Sequence, residues 1–212
     1  MINLYNDDCL AALRKMKDNS FELAIVDPPY GIANREKFQP PRGNKGIAQE
    51  MKKRVLVKQL EKMRKWDIAP PPEYFTELRR VSKNQIIWGS NYFDLPPTRG
   101  VIAWDKVQPW YTYSQWEMAW TSFDCPARLF KFDNRTGGKI HATQKPVQLY
   151  LWLLSNFANA GDRILDTHLG SGSIALACHD MGFDLEGYEI DKEYYKAARQ
   201  RLENHQKQLR LF

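Results

Sequence analysis

The last third of the chain alternates in a way that leaves few folds open. Pro146 suits the first position of a helix whose apolar stripe is Leu149, Leu153 and Phe157. A short strand follows at Arg163–Leu165, then a helix from Gly172 to Met181, then a strand at Leu185–Glu189. Asp191 then caps a final helix with Tyr194, Tyr195, Ala198 and Leu202 turned inward. Short strands separated by helices pair in parallel, because each helix carries the chain back to the starting edge. The pattern predicts a mostly parallel sheet with helices on both faces.

The N-terminal part continues the theme. Ile2–Tyr5 reads as a strand, and Asp7 or Asp8 caps a helix carrying Leu10, Leu13 and Met16. Phe21–Val26 is a second strand. A helix over Glu73–Val81 leads into the strand 85–88, and strands then cluster at Gly100–Trp104, Glu117–Thr121 and Ala127–Phe132. At 212 residues, 43% hydrophobic and 13% aromatic, the chain suits one α/β domain over 1–212. No apolar run approaches a membrane span, and MINLYNDD lacks the layout of a signal peptide. Cys9, Cys125 and Cys178 form neither a disulfide framework nor a metal spacing, and the four histidines show no metal pattern. These features predict a cytoplasmic protein without a membrane partner or a metal.

The net charge of +6 is concentrated in one place. Between Arg35 and Lys65 eleven Lys/Arg face three Glu, a local balance of +8, so the remainder sums to −2. Such a segment, read as a loop followed by a basic helix, is either a solvated helix or a surface for a polyanion.

Two strand ends carry unusual punctuation. Residues 25–31 read IVDPPYG. Each proline fixes φ and removes a backbone donor, so the strand stops there. What remains is a stiff loop with one carboxylate, carbonyls lacking matching N–H groups, and one ring. It is either a plain turn or a holder for something flat and amine-bearing. The second strand end is RILD, which runs into THLGSGS and a helix. Gly170 and Gly172 let the backbone pass close to a ligand, and the helix start offers N–H groups and a positive dipole end. Asp166 ends this strand and Glu189 ends the next, 189 − 166 = 23 residues on. That spacing suits an acid on ribose hydroxyls in a nucleotide-binding βαβ unit. The third glycine of the dinucleotide fingerprint is absent, since 175 is Ala and 173 is Ser, and no Walker-type lysine follows. A nucleoside ligand without phosphates fits better, and S-adenosylmethionine is one.

IVDPPYG resembles the catalytic motif of amino-methylating DNA methyltransferases, DTHLGSGS their cofactor loop, and HATQKP the segment they place just before it. The catalytic motif precedes the cofactor loop, which is the circularly permuted order of the β class of adenine-N6 and cytosine-N4 methyltransferases. NDDCL, WGSNYF, WDK and EMAWTSF add to the likeness, the last three to compact phage-type adenine methylases. DTHLG departs from the class, much of which has a proline and an aromatic residue there. The resemblance implies a Rossmann-like S-adenosylmethionine-dependent methyltransferase fold. It also implies that Asp27, Pro28, Pro29 and Tyr30 handle the target base. Asp166, Thr167, Gly170, Ser171, Gly172, Glu189 and Asp191 would hold the cofactor, with Asp27 beside it and Asp8, Cys9, Thr143 and Lys145 closing the pocket. Double-stranded DNA is the implied partner, met by Arg35, Lys52, Lys53 and Arg54, with recognition in the variable segments 31–68 and 105–140. Oligomeric state is left open, a homodimer included.

The chemistry needs these residue types. An exocyclic amine is a poor nucleophile, because its lone pair is delocalised into the ring. Asp27 and the Pro28 carbonyl can accept its two N–H bonds, freeing the lone pair and stabilising the positive charge that develops on nitrogen. Tyr30 offers a stacking face to a base flipped from the duplex. The chemistry is the same for adenine N6, cytosine N4, or an amine of RNA or a protein amide; Asp at the head of the motif favours adenine by resemblance. A binding-only protein with a decayed site is the contrasting reading, against which Asp27, Tyr30, Gly170 and Gly172 stand intact. Cytosine-C5 methylation is disfavoured, since Cys125 lies outside the local motif it needs.

Overall fold

The computed structural model describes residues 1–32, 67–109, 114–133 and 144–208. The chain divides into two compact units, one of residues 1–27 with 72–212 and one of residues 28–71.

The larger unit is built on an eight-stranded sheet. In chain order its elements are β1 (Ile2–Tyr5), α1 (Cys9–Leu13), β2 (Phe21–Val26), α2 (Pro72–Val81) and β3 (Ser82–Trp88). Then come β4 (Val101–Asp105), β5 (Trp116–Thr121), β6 (Arg128–Lys131), α3 (Val147–Phe157), β7 (Arg163–Asp166), α4 (Ser173–Met181), β8 (Asp184–Tyr188) and α5 (Lys192–Lys207). The order across the sheet is β1-β8-β7-β2-β3-β5-β4-β6, parallel except where β5 runs against β3 and β4. The expected mostly parallel Rossmann-like sheet is present. Strands β5 and β6 lie within the 105–140 segment.

Both faces are covered, as the apolar runs require. Leu23 and Ile25 of β2 join Ile86, Trp88 and Ile164 in one core with α3, α4 and α5. Ala24, Val26, Ile87 and Leu165 join the other core, with α1 and α2. The pleat thus sends alternate residues of each strand to opposite layers. Asp27 continues the series of Leu23 and Ile25.

Local chemistry sets the element ends. Asp8 caps α1, its Oδ1 accepting from Ala11 N at 2.9 Å. Helix α1 stops at Leu13, earlier than the Leu10–Leu13–Met16 spacing predicts, and Met16 falls in a turn. Pro146 occupies the cap before α3 rather than its first turn, with φ −70° and ψ 148°. Strand β3 starts at Ser82, three residues before its expected start, because α2 passes directly into it.

The connections place the site. From β2 the chain leads to β3 on one side; from β7 it leads through α4 to β8 on the other. The neighbours β7 and β2 therefore send their chains in opposite directions. Ligands of open α/β sheets bind beyond the carboxyl ends of strands at such a switch point. Asp166 and Asp27 stand at those two ends.

In the smaller unit, residues 28–32 and 67–71 are described. The Gly31 amide donates to Asp67 Oδ1 at 2.9 Å, joining its two ends. Gly31 has φ +69°, and a Cβ there would lie 3.2 Å from that of Ala69.

Candidate active site

Asp27 is partly buried and bound by the ammonium of Lys145. Lys145 immediately precedes the Pro146 cap of α3, so the start of that helix anchors it. Its ammonium also lies 3.1 Å from Glu117 Oε2 on β5 and 5.2 Å from the ring centroid of Trp88 at the end of β3. Glu117 in turn pairs with Lys106 at 2.5 Å, and Lys106 lies 5.4 Å from the Trp104 ring. Four charges of alternating sign thus stand in a row from Asp27 through Lys145 and Glu117 to Lys106. Burial works to discharge the Lys145 ammonium, but Asp27 and Glu117 outweigh it and hold its pKa above that of an ordinary lysine. Burial likewise opposes charge on Glu117, and Lys145 and Lys106 overcome it, so its carboxyl stays below the ordinary range. Breaking a buried pair by removing one partner costs about 3–5 kcal/mol, because the other charge is stranded.

Asp166 has the contrasting surroundings. It is 2% exposed, its Oδ1 accepts from His168 N at 3.0 Å, and among the described residues no cation pairs with it. Burial pushes its pKa up to about 8; the His168 amide offsets part of this, while the charges of Asp27 and Glu189 add to it. Gly170 and Gly172 follow, with φ of +52° and +70°. A Cβ on Gly172 would stand 3.0 Å from that of Ala198, so this glycine is needed for space as well as for its conformation. Gly172 caps α4 without any side-chain cap bond.

The loop is stitched to the end of β8. Leu169 N donates to Tyr188 O at 2.8 Å, and Gly170 N to Glu189 Oε2 at 2.8 Å. The other oxygen of Glu189 accepts from Asp191 N at 2.8 Å. Burial raises the Glu189 pKa, and the Asp191 and Gly170 amides pull against that. Asp191 itself caps α5, accepting from Glu193 N and Tyr194 N. The Ser171 hydroxyl meets that of Ser173 at 3.1 Å, and Arg201 reaches across to Ser171 O at 3.0 Å and Ser173 Oγ at 2.9 Å.

The departure in DTHLG has a local explanation. Thr167 Oγ1 lies 2.6 Å from Tyr74 OH and 2.9 Å from His168 Nδ1. His168 Nε2 lies 3.8 Å from Cys9 Sγ, and its ring stands edge-on to Tyr74 at 5.4 Å. Burial depresses the His168 pKa to about 4, so its ring is neutral near pH 7 and packs as an aromatic residue. Burial and Asp8 push the Cys9 thiol to about 12, which makes it a weak donor rather than a nucleophile.

The structure thus gathers Asp8, Cys9, Asp27, Lys145, Asp166, Thr167, Gly170, Ser171, Gly172, Glu189 and Asp191 around the ends of β2, β7 and β8. Pro28, Pro29 and Tyr30 belong to the smaller unit. Thr143, Arg35, Lys52, Lys53 and Arg54 lie outside the described residues. Glu117, Lys106 and Asn6 stand in stretches that carry the family resemblance, but sequence reasoning gave these residues no role of their own. The Asn6 amide donates to the carbonyls of Glu189 and Ile190 at 2.8 and 3.1 Å. One signal for Glu117 was present: a carboxylate within the strand WEMAWT needs a counter-ion when buried.

The family model described as DNA methylase, N6_N4_Mtase, matches residues 85–200, more than half of the chain. The chain belongs to this family. This methylase is 25% identical to the Type II methyltransferase M2.DpnII of Streptococcus pneumoniae, over 94% of its own length and 89% of that protein. M2.MboI of Moraxella bovis is 24% identical, over 94% and 86%. M.HpaI of Haemophilus parainfluenzae is 38% identical over 83 residues, 37% of the methylase and 26% of M.HpaI. The fold matches the crystal structure of the M1.HpyAVI-SAM complex with a TM-score of 0.60 at 20% identity, covering 95% of the methylase and 100% of that chain. The PvuII DNA methyltransferase, cytosine-N4-specific, matches with a TM-score of 0.61 at 13% identity, covering 94% and 86%. Among the described residues of the methylase, no helix is long and apolar enough to cross a membrane.

Proposed function

We propose that this methylase transfers a methyl group from S-adenosylmethionine to the exocyclic N6 of adenine in DNA. The observation that carries this is the pair of aspartates at the switch point: Asp27 paired with a cation, Asp166 buried without one. The loop after β7 fits the nucleoside part of the cofactor. Its two glycines have left-handed backbone, the α4 N-terminus lacks a side-chain cap, and Asp166 and Glu189 end adjacent strands. Each carboxylate oxygen of Glu189 keeps a lone pair beyond its amide contact, free to accept from a ribose hydroxyl. Asp191, Thr167, Ser171, Asp8, Cys9, Thr143 and Lys145 complete the wall of this pocket. Bound S-adenosylmethionine supplies an electrophilic methyl group on a positively charged sulfur.

Asp27 and the Pro28 carbonyl accept hydrogen bonds from the two N–H groups of the target amine. This turns the nitrogen lone pair out of conjugation, and the same acceptors stabilise the charge that grows on nitrogen. Pro28 and Pro29 keep the loop stiff. Tyr30 stacks on the flipped base, a contact of about 1–3 kcal/mol. Arg35, Lys52, Lys53 and Arg54 meet the phosphate backbone.

The adenine assignment rests on Asp at the head of DPPY, and the cytosine-N4 neighbour has the same fold. Incubation with DNA and labelled cofactor, digestion to nucleosides and chromatography test it. N6-methyladenine is expected, and N4-methylcytosine as sole product overturns the assignment.

A further inference from the structure

We infer that Glu117 is a positioning residue for the catalytic carboxylate, acting through Lys145. The inference rests on the methyltransferase reading above. Lys145 Nζ has three protons and lies between two acids, Asp27 and Glu117, with the indole of Trp88 alongside. Among the described residues, two buried side-chain polar atoms make no hydrogen bond: Trp88 Nε1 and Glu117 Oε2. Both residues border this one ammonium. The 3.1 Å contact of Glu117 Oε2 is close enough for an ion pair, yet its geometry completes no hydrogen bond. Unmet polar capacity in a core calls for a reason, and a functional site is where it collects.

Stability alone is a poor reason. Well-packed hydrophobic residues commonly replace a buried ion pair with no loss of stability. A row of four charges that ends on the acid closing β2 does something packing does not require.

That acid must accept from the target amine, while the Lys145 ammonium already holds one of its oxygens, Oδ2. Glu117 gives the ammonium a second seat, and Lys106 holds Glu117 in place from the far side. When the target amine donates to Asp27, the ammonium turns a proton toward Glu117 Oε2, and no charge is left unpaired. Without the Glu117 charge the ammonium stays on Asp27, and the acceptor site is obstructed.

The test is single-turnover methylation of DNA by the full chain with saturating cofactor, beside calorimetric cofactor binding and thermal melts. Glu117→Gln is expected to slow methyl transfer at least about tenfold, with cofactor affinity within about threefold of wild type. Glu117→Asp, which keeps the charge, recovers part of the rate. Lys145→Met also slows transfer, and the double variant Glu117→Gln/Lys145→Met is no slower than Lys145→Met alone, since Glu117 then has nothing to act through. Losses that multiply in the double variant, or a rate loss that follows cofactor affinity and melting temperature together, overturn the inference. A wild-type rate in Glu117→Gln overturns it alone and leaves the methyltransferase reading standing. A wild-type chain that methylates no DNA sinks that reading and the inference with it.

Discussion

Asp27 and Asp166 are the same residue type, closing neighbouring parallel strands, and the fold treats them in opposite ways. Asp27 ends β2 within reach of a buried ammonium. Asp166 ends β7 buried, with the His168 amide as its bonded partner, and burial pushes its pKa up to about 8. The difference comes from the neighbours each strand end acquires. After β7 the chain turns at once into a glycine loop and a helix, which presents amides. At the end of β2 the segment leading into α3 brings Lys145, and β5, one strand beyond β3, brings Glu117 to that ammonium. Carboxylates whose environments are driven apart mark a division of labour in active sites. Here the cation-paired acid suits the reacting amine, and the secluded one suits a ligand with its own hydroxyl or amine donors.

The largest expected effect falls on the first of the pair. Asp27→Ala takes turnover below detection and leaves cofactor affinity within a few-fold, measured by single-turnover assay and calorimetry. Loss of cofactor binding in a folded variant would erase the distinction between the two acids.

The second effect concerns Asp166 and is read from stability. Its folded pKa of about 8 lies above the unfolded value of 3.8, so the folded state holds the extra proton between them. The stability this contributes is fully present below about pH 4 and is lost as pH rises through about 8. At about 1.4 kcal/mol per pKa unit the effect is on the order of several kcal/mol. Asp166→Asn cannot titrate, so denaturant melts across this window without cofactor should fall with pH for wild type and stay flatter for the variant. Parallel curves would mean that Asp166 is not secluded from water, and the contrast with Asp27 would collapse.

The smallest effect tests the acid one strand further on. Glu189→Ala removes an acceptor from Gly170 N as well as the acid assigned to ribose. Losing a charge-assisted bond costs about 1.5–3 kcal/mol, so the cofactor dissociation constant should rise roughly tenfold to a hundredfold in calorimetry. No change would take ribose binding from Glu189 and move it to another acid, Asp191 first.

The layers were legible in the sequence, because a parallel sheet buried on both faces must be written as short apolar runs spaced by helical stripes. Both aspartates could be placed at strand ends, since DPPY and the glycine loop are local signals that stop a strand whatever surrounds it. Asp191 was legible as a cap for the same reason, since a cap bonds within three residues of itself, and the first cap was narrowed to Asp7 or Asp8, of which the fold uses Asp8. Beyond such short range, only the packed fold chose the partners. Lys145 was assigned to the cofactor pocket from its motif, whereas the fold lays its ammonium on Asp27, 118 residues earlier in the chain. Glu117 and Lys106 stand in the stretches EMAWTSF and WDK, but those stretches gave neither residue a partner; they meet because β4 and β5 pair antiparallel, with Trp104 opposite Glu117. The neutral state of His168 and the high pKa of Asp166 likewise stem from burial, and burial is a property of the packed layers rather than of any short stretch of chain.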